Sequence, residues 1–143
     1  MKEKILVSAC LLGTPCRYDG KSKPCSQVAA LKDRFDFIPV CPEVMGGLST
    51  PRLPCEIQNG LVIRKDGQDL TSFYQQGARA ALKLAKDNGC KLAILKEKSP
   101  SCGTHCRYDG TFSGTLINGR GLTAELLAKN GIRTLSENET EHI

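Results

Sequence analysis

The sequence predicts an α/β protein: a three-layer, Rossmann-like parallel sheet of strand order 2-1-3-4, with a β-hairpin as an excursion. Short apolar segments of strand length alternate with segments of helical periodicity, which is typical of right-handed βαβ units. An Asn-Gly pair between two apolar runs adds the hairpin. The 143 residues fit one compact domain, and we expect 1–143 to form it.

In the first part of the chain we expect two parallel strands and one short helix. Residues 4–9 are an apolar run typical of a buried strand, and 26–33 are predicted to form the helix. A second strand is predicted over 36–40. Because Pro39 has no N–H to donate, this strand is predicted to lie at an edge of the sheet.

The middle of the chain contains the hairpin and the main helix. The runs 56–58 and 61–64 flank the Asn-Gly pair, whose two residues tolerate the positive φ that such a turn needs. Residues 71–87 are predicted to form a helix that Thr71 caps. One face of this helix is expected to contain Phe73, Gly77, Ala81 and Leu84.

Towards the carboxyl end, the pattern predicts two further strands and one helix. The strands cover 91–95 and 132–135, and the helix between them covers 123–129 after a glycine-rich loop. The tail from 137 to 143 is predicted to fray. Counted without the hairpin, the four strands give the order 2-1-3-4.

The cysteine content is unusual, since the chain has eight cysteines and two histidines. Only Ile5 and Leu6 separate the N-terminal charges from a lipoprotein-like box at 7–10, which is too short for the apolar core of a signal. We therefore expect a cytoplasmic protein, where cysteines serve metals or catalysis more often than disulfides. No segment approaches transmembrane length. The net charge of +5 suits an anionic or electron-rich ligand but is too small to indicate a nucleic-acid binder.

Three cysteines follow the ends of three predicted strands: Cys10, Cys41 and Cys102. Since ligands of open α/β sheets bind beyond the carboxyl ends of the strands, we expect these thiols to meet in one pocket. Three thiolates can hold zinc, or a cubane iron–sulfur cluster with one iron left open. Thiolates are soft donors, and the chain has few histidines to supply nitrogen ligands, so the cluster is favoured over zinc. The rival is a zinc ion clipped by Cys102, His105 and Cys106.

Two polar residues near these cysteines are candidate catalytic groups. Glu43 follows the second strand and can point into the same pocket, where a shielded carboxyl suits proton transfer; a salt bridge to Arg52 is its plainer role. Ser101 precedes Cys102 and can orient a water molecule or donate to a cluster sulfur; its plainer role is to cap the Ser-Pro-Ser turn. Cys90 precedes the third strand, at its opposite end, and is expected to be a structural thiol.

One pentapeptide, Cys-Arg-Tyr-Asp-Gly, occurs twice, at 16–20 and at 106–110. Each copy comes after a strand-end cysteine. We favour shared turn chemistry, with Asp-Gly supplying a tight bend. The alternative is that Arg17 and Arg107 both face a ligand, and the roles of the two cysteines stay open.

Three motifs resemble those of one known family. They are VSACLLG at 7–13 with RYDG at 17–20, CPE at 41–43 with GGL at 46–48 and PR at 51–52, and SPSCG at 99–103 with YDG at 108–110. Together they are similar to the small bacterial family long called a domain of unknown function, which includes thiouracil desulfidase. The resemblance covers roughly residues 5 to 135.

This resemblance implies a desulfidase-like domain with a [4Fe-4S] cluster on Cys10, Cys41 and Cys102. It implies non-redox removal of sulfur from a thiolated nucleobase, with release of hydrosulfide, and catalytic roles for Glu43 and Ser101. In this interpretation the open iron binds the thiocarbonyl sulfur, and water activated by Glu43 attacks the adjacent carbon.

Two other classes of function are considered. A sulfur carrier or tRNA-thiolation component would hold phosphate through its basic residues, namely Arg17, Arg52, Arg107 and Arg120. A zinc-binding module would bind its metal without turnover. For the desulfidase, the expected partner is a small molecule, with no membrane contact.

Overall fold

The computed structural model describes residues 2–143. Its strands are β1 (Glu3–Ser8), β2 (Phe35–Val40), β3 (Cys55–Gln58), β4 (Leu61–Arg64), β5 (Leu92–Leu95), β6 (Cys106–Tyr108), β7 (Leu116–Asn118) and β8 (Arg133–Ser136). Its α-helices are α1 (Ser26–Ala29), α2 (Pro42–Met45), α3 (Thr71–Asp87) and α4 (Leu122–Lys129), with 3-10 turns at Ala9–Leu12, Ala30–Asp33 and Thr140–His142. Across the described residues, none of these helices combines the length and apolarity that a membrane crossing requires.

The central sheet has the order β2-β1-β5-β8, and all its strands are parallel. Counted without the hairpins, this is the order 2-1-3-4, so the prediction of an α/β fold with a parallel sheet is confirmed. The β3–β4 hairpin is also confirmed, with φ of 50° at Asn59 and 80° at Gly60 in its turn. Strand β2 lies at an edge, where the missing N–H of Pro39 is tolerated.

Helices cover both faces of the sheet because its strands alternate their side chains between two apolar cores. Ile5 of β1 packs in one core with Val28 of α1. The next residue, Leu6, packs in the other core with Ala81 of α3 and Leu127 of α4. These are the three predicted layers.

Helix α3 covers the predicted range, and its buried face includes the predicted Gly77 and Ala81 but neither Phe73 nor Leu84. Its buried residues are Tyr74, Gly77, Ala78, Ala81 and Ala85. Phe73 is instead 39% exposed. Thr71 does not cap the helix: it is the first helical residue, and its hydroxyl accepts a hydrogen bond from the Val62 N–H in β4 at 2.8 Å.

Several elements differ from the sequence prediction. Helix α2 is a single turn with a proline at its start, a position that proline favours, but too short to show periodicity. Strands β6 and β7 are three residues each, and β7 is exposed throughout, so no alternation marks them. The 26–33 helix ends its α-helical part at Ala29 and continues as a 3-10 turn. The tail that was predicted to fray is held at its start, because the Glu137 carboxylate accepts a hydrogen bond from the Glu97 N–H at 2.8 Å.

Helix α2 packs directly on α3 because a glycine lies on each side of the crossing: Gly46, which directly follows α2, and Gly77 of α3. A Cβ at Gly46 would overlap the Phe73 carbonyl oxygen, and a Cβ at Gly77 would overlap the Pro42 carbonyl oxygen. Glu43 lies on α2, so this close approach fixes the position of Glu43 relative to α3.

Candidate active site

A cavity of about 380 Å³ opens at the carboxyl ends of β1, β2 and β5. Its wall comprises the residues that follow these strands, part of the β3–β4 hairpin and part of the β6–β7 loop. Cys10, Cys41 and Cys102 all line it. The strand ends therefore bring together the three thiols that are widely separated in the sequence.

Two of these thiols, Cys10 and Cys102, are buried, Cys41 is half-buried, and the three influence one another. Cys10 is 7% exposed and Cys102 is 5% exposed. Burial, and next the Cys41 thiol, raise the pKa of Cys10 to about 11. Burial also raises the pKa of Cys102, although the Ser8 hydroxyl beside it acts in the opposite direction. As thiolates, these groups need a compensating cation, and a bound metal provides one.

Two further cysteines line the same cavity, Cys16 and Cys55. Burial, and next the Cys41 thiol, raise the pKa of Cys16 to about 12. The Cys41 thiol donates to the Cys16 carbonyl oxygen at 3.7 Å. No spacing pattern in the sequence indicated this proximity, because the irregular turn after β1 creates it. Cys90 lies in the core beneath α3 and α4, as expected of a structural thiol.

A single zinc ion would need donor atoms that lie close together. A tetrahedral zinc ion with Zn–S bonds of about 2.3 Å brings its sulfurs about 3.8 Å apart. Within residues 2–143, one set of three donor atoms lies within 4.8 Å of one another: Glu97, His105 and Glu139. The sulfur atoms of Cys10, Cys41 and Cys102 are thus not all within 4.8 Å of one another in this structure. A multi-iron cluster takes thiolate ligands around a larger volume than one ion does. The zinc clip of Cys102, His105 and Cys106 is not formed, and the His105 ring is instead 2.6 Å from Glu139.

Glu43 lies in the cavity wall and is held through both carboxylate oxygens. The Tyr74 hydroxyl donates to Oε1 at 2.7 Å, and Arg52 Nε donates to the same oxygen at 3.3 Å. The Ser99 hydroxyl donates to Oε2 at 3.4 Å. Glu43 therefore has both features considered from the sequence, the pocket position and the salt bridge to Arg52. Tyr74 was missed, because a helix pattern does not show which residue of α3 faces α2.

The serine that lines the cavity is Ser99, and Ser101 is not among the lining residues. Ser101 is 1% exposed, and its hydroxyl shares a hydrogen bond with Thr123 at 2.7 Å. The Ser99 hydroxyl oxygen accepts the N–H groups of Ser101 at 3.0 Å and Cys102 at 3.1 Å. Ser99 thus connects Glu43 with the loop that carries Cys102. Ser101 Oγ lies 4.0 Å from Cys102 Sγ, so Ser101 contacts a predicted cluster ligand without lining the cavity.

The four arginines considered for phosphate binding do not share one surface. Arg17 and Arg52 line the cavity, but Arg52 Nη2 is engaged by the Cys16 carbonyl oxygen at 3.1 Å. Arg107 lies outside the cavity, and its Nε and Nη1 atoms are buried with no hydrogen-bond partner among residues 2–143. Arg120 is exposed and pairs with Glu125 at 3.4 Å.

Comparisons with known proteins bear on this site. The uncharacterized protein YbbK of Bacillus subtilis (strain 168) is 43% identical over 149 aligned residues, covering 97% of this chain and 99% of its own. The solved structure of the [4Fe-4S]-dependent thiouracil desulfidase TudS (DUF523Vcz) matches with a TM-score of 0.92 and 46% identity, over 99% of this chain and 95% of that chain. The family model described as 2-thiouracil desulfurase matches residues 5–139. With its parallel sheet and its cavity of thiols, the chain belongs to the 2-thiouracil desulfurase family.

Proposed function

We propose that this protein is a desulfidase that hydrolyses the C=S bond of a thiolated, thiouracil-like nucleobase and releases hydrosulfide. The observation that carries the proposal is that three soft thiol donors and the Glu43 carboxylate line one cavity. A thiophilic metal group beside a proton-transfer group suits a substrate whose sulfur leaves as oxygen enters. Water supplies the oxygen and both protons, the carbon keeps its oxidation state, and no electron donor is consumed.

Cys10, Cys41 and Cys102 are the proposed ligands of a [4Fe-4S] cluster. With three protein ligands one iron is open, and the bound cluster supplies a Lewis acid for the thiocarbonyl sulfur. The position of all three thiols in one cavity, with Cys10 and Cys102 buried, supports this assignment. Likeness to a structure described as [4Fe-4S]-dependent, over 99% of this chain, supports it as well.

Glu43 is the proposed general base. Tyr74 and Arg52 hold its Oε1, so Oε2 is the oxygen left to accept a proton from water in the cavity. Both lone pairs of the Ser99 hydroxyl oxygen are occupied by backbone N–H groups, and its proton is therefore directed at Oε2. Ser99, in place of Ser101, is the serine we propose to position Oε2 of Glu43, which in turn orients the water. Glu43 then returns the proton to the departing sulfur.

Anaerobic reconstitution with iron and sulfide tests the ligand set. We expect wild-type protein to be brown, to bind about four irons per chain and to release sulfide from 2-thiouracil without a reductant. Cys41→Ser should lose iron and colour, whereas Cys90→Ser, the matched change in the distant core, should keep both. A colourless, zinc-loaded wild type or a strict requirement for an electron donor would contradict the proposal.

Two substitutions in the same assay test the proton-transfer groups. Glu43→Gln should keep its iron but lose at least about 10²-fold in kcat, the usual scale for a general base. Ser99→Ala should also lower kcat. Ser101→Ala is compared with it: this hydroxyl bonds to Thr123 and lies 4.0 Å from Cys102 Sγ, so its loss should affect thermal stability and iron content more than turnover per iron-loaded chain. Loss of activity in the Ser101 variant alone would reverse the assignment of the two serines.

A further inference from the structure

The β6–β7 loop presents an aromatic ring to the cavity from an uncommon backbone conformation. Phe112 lines the cavity and has a φ of 55°. For a bulky residue this left-handed conformation is an outlier. Such a conformation persists only where the surroundings impose it, and it is concentrated at ligand-binding sites. The ring remains half-buried, so the protein core does not enclose it.

The β3–β4 hairpin imposes this conformation. Glu56 of β3 is 8% exposed, and its Oε1 accepts the N–H groups of Gly110 at 2.9 Å and Phe112 at 3.1 Å. Gln58 Nε2 donates to the carbonyl oxygen of Gly110 at 2.5 Å. A carboxylate is unfavourable to bury unless hydrogen bonds compensate. Here those hydrogen bonds hold one loop and the residue at its tip.

We infer that Phe112 is the residue on which the substrate's ring stacks, and that Glu56 is its positioning residue. The inference rests on the proposed function, since it takes the substrate to be a planar thiolated pyrimidine. The thiols and Glu43 act at the edge of such a base and leave its apolar face to be bound by another group. Aromatic side chains are the usual partners of that face.

Phe112 suits this role better than the other two aromatic residues of the cavity, Tyr18 and Tyr108. Tyr18 is 42% exposed, and the guanidinium carbon of Arg17 lies 5.9 Å from the centre of its ring. Tyr108 belongs to strand β6, where pairing with β7 already accounts for its position. Phe112 alone of the three has a backbone held out of its ordinary range by a buried carboxylate.

Kinetics of the cluster-loaded enzyme test the stacking. Phe112→Leu should raise KM for 2-thiouracil about tenfold with kcat little changed, since stacking on an aromatic side chain is worth about that factor or more. Phe112→Tyr should stay close to wild type. Phe73→Leu is the control, because Phe73 is exposed on α3 and does not line the cavity. An unchanged KM in Phe112→Leu, or a loss confined to kcat, would overturn the inference.

The positioning role of Glu56 makes a separate prediction in the same assay. Glu56→Ala should raise KM as Phe112→Leu does, and the double variant should add little further, because both changes remove the same ring from the substrate. Glu56→Gln should restore KM, since its amide oxygen can accept the same two N–H groups. A Glu56→Ala variant that loses thermal stability but keeps its KM would overturn the role.

Fluorescence separates this inference from the proposed function. The chain has no tryptophan, so Phe112→Trp introduces its one indole. We expect uracil, the sulfur-free base, to quench this fluorescence saturably in the cluster-loaded protein, and to leave Phe73→Trp unaffected. Sulfide release without saturable quenching would reject the stacking and keep the function. Saturable quenching in a protein that releases no sulfide would support the stacking and reject the function.

Discussion

The same five residues, Cys-Arg-Tyr-Asp-Gly, take two different structures in this molecule. Residues 16–20 form an irregular turn after β1, whereas the second copy begins as strand β6. The tyrosine of each copy lines the cavity, and the glycine of each has positive φ, 76° and 96° respectively. The arginines differ: Arg17 lines the cavity and Arg107 does not. The Asp-Gly bend is thus the part that the local sequence sets in both places.

The two copies are held by opposite kinds of hydrogen-bonding group: donors of Arg52 hold the first, and acceptor carboxylates hold the second. In the first copy, Arg52 donates two hydrogen bonds to carbonyl oxygens. Its Nη2 donates to the carbonyl oxygen of Cys16 at 3.1 Å, and its backbone N–H donates to that of Tyr18 at 2.7 Å.

In the second copy, backbone N–H groups donate to buried carboxylates. The N–H of Cys106 donates to Glu97 Oε1 at 3.2 Å, and that of Gly110 donates to Glu56 Oε1 at 2.9 Å. Identical sequences therefore differ in structure because residues outside the pentapeptide contact carbonyl oxygens in one copy and N–H groups in the other.

Arg52 is the anchor of the first copy. Replacing it should have the largest effect on activity, because Arg52 also pairs with Glu43. The Arg52 side chain is 7% exposed, and leaving a largely buried carboxylate without its partner costs about 3–5 kcal/mol. We expect Arg52→Met to lower kcat about 10²-fold, measured as sulfide release per iron-loaded chain. Arg52→Lys should recover only part, since it keeps the charge without the planar fork.

A kcat of Arg52→Met within about twofold of wild type would show that Glu43 and Cys16 keep their positions without Arg52. Iron content and thermal unfolding of each variant distinguish loss of turnover from loss of the folded site.

Glu97 is the anchor at the start of the second copy, and replacing it should affect the stability of the fold more than turnover. Glu97 Oε1 accepts the N–H groups of Thr104 at 2.8 Å, His105 at 3.0 Å and Cys106 at 3.2 Å. Glu97→Ala leaves these groups unpaired and should lower the free energy of unfolding by about 2–4 kcal/mol, measured by denaturant titration. Glu97→Gln keeps an acceptor oxygen and should lose less. Equal stability of wild type and Glu97→Ala would contradict an anchoring role.

The contribution of Glu97 should also depend on pH. Burial acts to raise its pKa, but the hydrogen bonds from His105, Thr104 and Cys106 outweigh burial and hold the pKa below its usual range. A carboxyl whose pKa is lower in the folded than in the unfolded state stabilises the fold above its unfolded pKa, and this stabilisation is lost on acidification. The stability difference between wild type and Glu97→Gln should therefore shrink as the pH falls below the usual range of a glutamate. A difference that is constant with pH would contradict this explanation.

The two arginines of the repeat should show the smallest and most divergent effects. Arg107→Met removes two buried nitrogens that have no partner among residues 2–143, so the melting temperature should stay level or rise. Arg17→Met should leave the melting temperature unchanged, because its pair with Asp19 is partly exposed, and change KM by about two- to threefold. A destabilised Arg107→Met together with an unaffected KM in Arg17→Met would reverse this assignment.

Several features of the fold and the site followed from the sequence, because the information for them lies in neighbouring residues. The apolar runs predicted the sheet and its order, and Pro39 predicted the edge strand. The Asn-Gly pair predicted the hairpin. Once the strands were placed, the chemistry of open parallel sheets brought Cys10, Cys41 and Cys102 to one edge.

The folded molecule was needed to choose between chemically similar residues close together in the sequence. Ser99 faces Glu43 while Ser101 bonds to Thr123, and Tyr74 rather than Phe73 reaches the carboxylate. The direction of each side chain depends on contacts with residues 22 to 56 positions away. Such contacts exist only after the helices and strands have packed, and no periodicity or motif along the chain records them.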